Sequence, residues 1–134
     1  MTLINLLILS LTLNTVNNRL LESLNDKDRE EIVCRDGRMQ NWGIHCAADY
    51  SISFTKAKTS LFNNNVILEG NVYDGTPIPY VKVDVIKIKN DSCLIINSTE
   101  TNLAGEFKLT IYDNKADYLQ FSFVRFKGYS INLK

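Results

Sequence analysis

Cys34, His45 and Cys46 are the residues of this chain with the richest potential chemistry. Two thiolates and an imidazole could supply three ligands of a zinc ion, and Cys34 with His45 could form an activated nucleophile. Structural zinc ordinarily takes paired C-x-x-C units, however, and none occurs here. His45 is the sole histidine, so a hydrolytic zinc site built from two His and a Glu is excluded on ligand count. A Ser–His–Asp relay would also have to run through His45, and no Gly-x-Ser-x-Gly elbow presents a serine. The six glycines are scattered among turns rather than gathered into a phosphate loop. No catalytic residue, metal site or cofactor is therefore expected. The favoured reading of the cysteines is a Cys34–Cys46 disulfide clamping the Arg35–His45 loop in an exported protein. Such a clamp would stabilise by roughly 2–3 kcal/mol through chain entropy. Cys93, inside an apolar run, reads as a buried free thiol.

Binding chemistry could come from the aromatics. Trp42, Tyr50, Tyr73 and Tyr80 are candidates for a platform on which a sugar or small ligand stacks, although Trp42 in its turn-rich segment reads better as a plug over the core. Asn90-Asp-Ser92 and Asn97-Ser-Thr99 match the glycosylation sequon, which matters only in a secreting eukaryote. Lys plus Arg and Asp plus Glu balance at 15 each, and the pI is about 6.6. That balance argues against nucleic acid or an anionic membrane as a partner, since both need a concentrated basic surface.

The elements that would position these residues fall into three stretches. Residues 1–16 are mostly apolar but shorter than the roughly 20 residues of a bilayer-spanning helix, so no stable membrane span is expected. They resemble the hydrophobic region of a signal peptide, though without a preceding Lys or Arg or a small-x-small cleavage site. Export to the periplasm or cell surface is the favoured localisation. The alternative is a cytoplasmic protein that keeps these residues as a buried helix or strand. Residues 17–65 read as a helical and irregular segment without an assigned role. Leu20, Leu21 and Leu24 form one stripe of a helix over Arg19–Val33, and Asn25-Asp26 could cap a second turn from Lys27. Asp36-Gly37 and Asn41-Trp42-Gly43 signal turns, Tyr50–Phe54 alternates like a strand, and Asn63-Asn64-Asn65 marks a boundary.

From Val66 to Lys134 the period-two signal is strong. Val66, Leu68, Gly70 and Val72 share a face, as do Val81, Val83 and Val85, before the parity shifts to Ile86 and Ile88. That shift predicts a bulge or a strand buried on both sides. Phe107, Leu109 and Ile111, then Leu119, Phe121 and Phe123, alternate in the same way, with turns at Asn90-Asp91, Asn102–Gly105 and Asp113–Lys115. Short strands at this spacing predict a mainly β, antiparallel sandwich.

Three blocks then resemble the carboxypeptidase regulatory-like domain family. Leu68-Glu-Gly70-Asn-Val72-Tyr-Asp74-Gly-Thr-Pro77 is similar to its G-x-V-x-D opening with a Gly/Pro loop. Thr99-Glu-Thr101-Asn102-Leu-Ala-Gly105-Glu-Phe107-Lys-Leu109 is similar to its T-x-T-D-x-x-G-x-F-x-L stretch, with Asn102 where Asp is usual. Leu119-Gln-Phe121-Ser122 followed by Gly128-Tyr129 resembles its ending, with Phe126-Lys127 as an extra pair. The resemblance implies a Greek-key, transthyretin-like (prealbumin-like) β-sandwich over residues 66–134, preceded by an N-terminal helical segment. It also implies that Gly70, Asp74, Pro77, Gly105, Phe107, Gly128 and Tyr129 serve folding rather than catalysis. Such domains commonly accompany catalytic domains or outer-membrane receptors. The expected function is thus a non-enzymatic accessory module that binds another protein of the cell envelope through strand edges and the Asp74–Pro79 loop. The alternative is the carbohydrate or small-ligand binder described above.

Overall fold

A computed structural model describes residues 3–43, 47–60, 62–112 and 116–134, with the side chains of the first helix described from Asn14 onward. The protein is mainly β, built of antiparallel sheets behind one N-terminal helix. The elements are α1 (Leu3–Asp26), β1 (Ile32–Arg35), β2 (Arg38–Asn41), β3 (Ser51–Thr59), β4 (Val66–Asp74), β5 (Thr76–Pro77), β6 (Lys82–Lys89), β7 (Ser92–Glu100), β8 (Glu106–Ile111), β9 (Tyr118–Ser122) and β10 (Tyr129–Asn132). One sheet has the order β10-β9-β6-β7. The other has β4 at its centre, with β3 on one edge and β8 and the short β5 on the other.

The two sheets share a single apolar core. Strand alternation sends Leu68 and Val72 of β4, Val83 and Val85 of β6, and Leu119 and Phe121 of β9 into it, and each is almost wholly buried. Phe54, Phe107 and Phe121 meet edge to face at its centre, with ring centroids 5.5–6.3 Å apart. The parity shift read at Ile86 coincides with a bulge: Ile86 pairs with Ile95 and Val85 with Asn97, leaving Ile96 as the extra residue. The Asn63–Asn65 segment does not divide this core. Strand β3, which precedes it, pairs along β4 from Val66 to Tyr73, and Tyr50, Phe54 and Ala57 are all core residues.

Helix α1 stops at Asp26 rather than continuing to Val33. Its last turns bury Leu24 and pack Leu20 and Leu21 against the core. Beyond it, Glu30 exchanges backbone hydrogen bonds of 2.8 and 2.9 Å with Ser130, which draws the following residues into an extended conformation. β1 and β2 form a hairpin around Asp36-Gly37, both at positive φ (53° and 74°), as a tight hairpin turn requires.

This hairpin lies against the outer face of the β10-β9-β6-β7 sheet. Ser130 Oγ donates to the Ile32 carbonyl at 2.7 Å, and the Cys34 N–H donates to Gln120 Oε1. Beneath it, Asp84, Gln120 and Ser130 are buried, and the Asp84 carboxylate accepts from Ser98 Oγ and, at 3.3 Å, from Gln120 Nε2.

The expected Cys34–Cys46 clamp is not formed. Cys34 is bonded to Cys93, with Cα atoms 6.0 Å apart and a sequence separation of 59. The bridge fastens the hairpin to β7. Cys93 faces outward across the sheet because β7 continues its alternation there, and β1 brings Cys34 over it. A Cys34 sulfur held in a disulfide is no zinc ligand and no nucleophile, which removes both readings that used it. His45 and Cys46 lie outside the described residues. Among the described residues, no helix is long and apolar enough to cross a membrane.

Candidate interaction surface

A sheet edge is a row of unpaired backbone groups, and this fold occupies most of its edges. Two asparagines of α1 cap the outer edge of β3. Asn25 Nδ2 donates to the Phe54 carbonyl and Asn25 Oδ1 accepts the Phe54 N–H, both at 2.9 Å. Asn17 Oδ1 accepts the Thr59 N–H at 2.9 Å. The two residues lie about two helical turns apart on one face, so their amides stand in for a neighbouring strand. β10 is bridged at Ser130 by Glu30. β7 is touched at two points, where the Cys93 N–H donates to Gly37 at 2.8 Å and Asn97 Nδ2 donates to the Thr110 carbonyl at 2.8 Å.

Between those two points lie Leu94, Ile95 and Ile96, with 50, 48 and 41% of their surface exposed. Three consecutive large aliphatics in water are unusual on a folded surface. They are exposed because β7 is the last strand of its sheet, so neither face is fully covered, and because Ile96 is the bulged residue. The disulfide at Cys93 and the Asn97 bond hold the trio at both ends. Ile88, opposite Cys93, is also exposed, as is Tyr112, two residues beyond Thr110.

The aromatic platform read from sequence is not assembled. Tyr50 is a core residue whose hydroxyl donates to the Phe121 carbonyl at 3.2 Å and whose ring meets Tyr129 at 5.2 Å. Trp42 is half-buried, with its ring against Gly128 so closely that a Cβ there would come within 2.8 Å of it. Tyr73 and Tyr80 alone are exposed.

The Asp74–Pro79 loop is tied down rather than free. Asp74 pairs with Thr76 across Gly75, the Ile78 N–H donates to the Val72 carbonyl at 3.0 Å, and buried Thr101 Oγ1 donates to the Ile78 carbonyl at 2.7 Å. Gly105 sits behind this loop at φ 72°, and a Cβ there would lie 3.0 Å from Pro77 Cβ. Asn102 Oδ1 accepts the N–H groups of Ala104 and Glu106, both at 3.0 Å, as its place in the turn predicts.

Tyr129 buries its ring and donates its hydroxyl to Asp49, with the Arg29 guanidinium 4.5 Å from the ring centroid. The Tyr129 hydroxyl holds the Asp49 carboxyl below its ordinary value of 3.8, against the opposing effect of burial, with help from the Tyr50 N–H, Arg29 and Lys127. Burial first, and then Asp49, raises the Tyr129 phenol. A carboxyl depressed on folding contributes stability above its unfolded pKa that is lost as pH falls through the folded value. Urea midpoints are therefore expected to fall below about pH 4, and less steeply in Asp49→Asn. At neutral pH Asp49→Ala should cost about 1 kcal/mol, because it leaves the Tyr129 hydroxyl without its acceptor. Equal acid limbs in wild type and Asp49→Asn would remove Asp49 from this role.

Sequence reading missed the surface on β7. It took Cys93–Ile96 as an apolar strand, although a strand that alternates cannot point three consecutive aliphatics inward, and that conflict was the available signal. Among the described residues, no three His, Cys, Asp or Glu side chains are grouped as a metal site. Comparison with known protein families, with curated proteins and with solved structures finds no match to this chain.

Proposed function

We propose that this chain is a non-enzymatic β-sandwich module, exported to the cell envelope, that binds another protein through the exposed edge of β7. The observation that carries the reading is the aliphatic ridge Leu94-Ile95-Ile96, held in place by the disulfide on one side and Asn97 on the other. A fixed apolar ridge with a polar surround is the usual make-up of an interface core, because it loses little freedom when covered. Lys87, Lys89, Asn90 and Asp91 supply that surround. Export is supported by the apolar start of the chain and by the Cys34–Cys93 bridge, since such bonds persist in oxidising compartments. The Greek-key, transthyretin-like reading rests on the resemblance of residues 66–134 to the carboxypeptidase regulatory-like family. The packing roles of Gly70, Gly105 and Phe107 are consistent with a motif that serves folding. The glycan-binding alternative is weakened by the burial of Tyr50 in the core.

Site-directed photo-crosslinking in the protein's own cells tests this. A benzophenone residue at Ile95 is expected to give one discrete protein adduct, while the same group at Lys58, on the opposite sheet, gives none. Ile96→Asp combined with Leu94→Asp should abolish the adduct while leaving the disulfide and the circular dichroism unchanged. No adduct at Ile95, or equal adducts at both positions, would defeat the proposal.

A further inference from the structure

A second feature of the fold has no part in the β7 surface. Where the end of α1 crosses the sheet of β4 and β8, a cleft of about 550 Å³ opens directly onto the core. Its walls are more apolar than polar. Leu20 and Leu24 come from α1, Val66 and Leu68 from β4, Ile111 from β8, and Leu133 from the end of the chain. The volume lies in the range of small-molecule sites, roughly 300–1,000 Å³.

We propose that this cleft binds a long-chain fatty carboxylate, with its tail against Leu24, Leu68, Ile111 and Leu133 and its carboxylate on Lys27. The polar lining consists of Ser23, Lys27 and Lys134 among the described residues. Lys134 already lies 4.0 Å from Asp117, which shares its charge. Lys27 is half-buried and has no carboxylate or hydrogen-bond partner among the described residues. Its ammonium at the mouth of the cleft would hold a ligand carboxylate by a charge-assisted hydrogen bond while the apolar wall covers the tail. The rest of the wall selects the remainder of the ligand. Among the described residues it offers no aromatic face for a nucleobase or sugar and no arginine fork for a phosphate, so an alkyl chain is what it can bury.

Isothermal titration of the full chain with dodecanoate, below its micelle concentration, provides the test. Saturable one-to-one binding is expected. Lys27→Glu should weaken it about tenfold or more, the value of one charge-assisted hydrogen bond. Dodecanol, which keeps the chain but lacks the charge, should bind weaker than dodecanoate by a similar factor. Ser23→Trp, at an exposed helix position on the rim, should block the cleft without disturbing the core. Leu94→Asp should bind dodecanoate as wild type does, which separates this site from the β7 surface. The absence of saturable binding, equal affinity for dodecanol, or unchanged affinity in Lys27→Glu would each overturn the proposal.

Discussion

Replacing Cys34 and Cys93 together by serine is expected to cost about 3 kcal/mol of folding free energy, the largest effect of any change outside the core. The bridge closes a loop of 59 residues, for which the chain-entropy model gives about 4 kcal/mol. Native bridges commonly deliver somewhat less, because the reduced unfolded chain keeps residual structure. The bond also fastens the β1–β2 hairpin over the sheet face that carries Asp84, Gln120 and Ser130. Loosening the hairpin admits water to those groups and removes the Gln120 and Ser130 partners one by one. Against a total stability of 5–15 kcal/mol for a typical domain, this is a large fraction. Urea unfolding with and without reductant measures it. The midpoint should fall on reduction to the value of the double serine variant, whereas a midpoint insensitive to reductant would show that the hairpin is held without the bond.

Gly70→Ala should rank beside it, at about 3 kcal/mol, although alanine is ordinarily the better residue in a strand. Gly70 sits in the middle of β4, paired with Phe54 on one side and Phe107 on the other. A Cβ there would lie 2.4 Å from the Ser53 carbonyl and 2.7 Å from Phe107 Cζ. Neither neighbour yields freely. The carbonyl belongs to a strand pinned by α1 through Asn25, and the ring is wedged edge to face between Phe54 and Phe121. Adding volume to a filled core forces side chains off their rotamers and shifts backbone. Phe107→Leu should relieve the ring contact but not the carbonyl contact, so the double variant should be less destabilised than the sum of the singles. Strict additivity would sink the steric account.

The second half of the chain was readable because its physics is local. Val66, Leu68 and Val72, or Val83 and Val85, recur with period two on one face of their strands, and each of those valines and leucines is buried where the period places it. The parity break at Ile86 reported the bulge, and Asn90-Asp91 reported a hairpin turn in which both residues take positive φ. The first half misled for the same reason. β1 and β2 are four residues each, and Arg38-Met39-Gln40-Asn41 carries no apolar alternation, since its strand character is imposed by the sheet beneath it. The disulfide was misread because Cys46 is near Cys34 in sequence, whereas Cys93 is near it only after the hairpin has folded back. For the β7 ridge, hydrophobicity was legible but exposure was not. Whether Leu94–Ile96 faces a neighbour depends on which strand ends the sheet, and that is decided by topology.

The span of the disulfide bears on how the chain acquires its fold. A polypeptide emerging N-terminus first into an oxidising compartment presents Cys46 to Cys34 long before Cys93 arrives. The shorter loop also closes at an entropic advantage of roughly 1 kcal/mol. Early oxidation there would favour the wrong partner, and the native bond would then be reached by thiol exchange, a process of seconds to hours without a catalyst. In such a compartment the bond that stabilises the finished molecule would also be the slow step in reaching it, and a disulfide isomerase would speed that step.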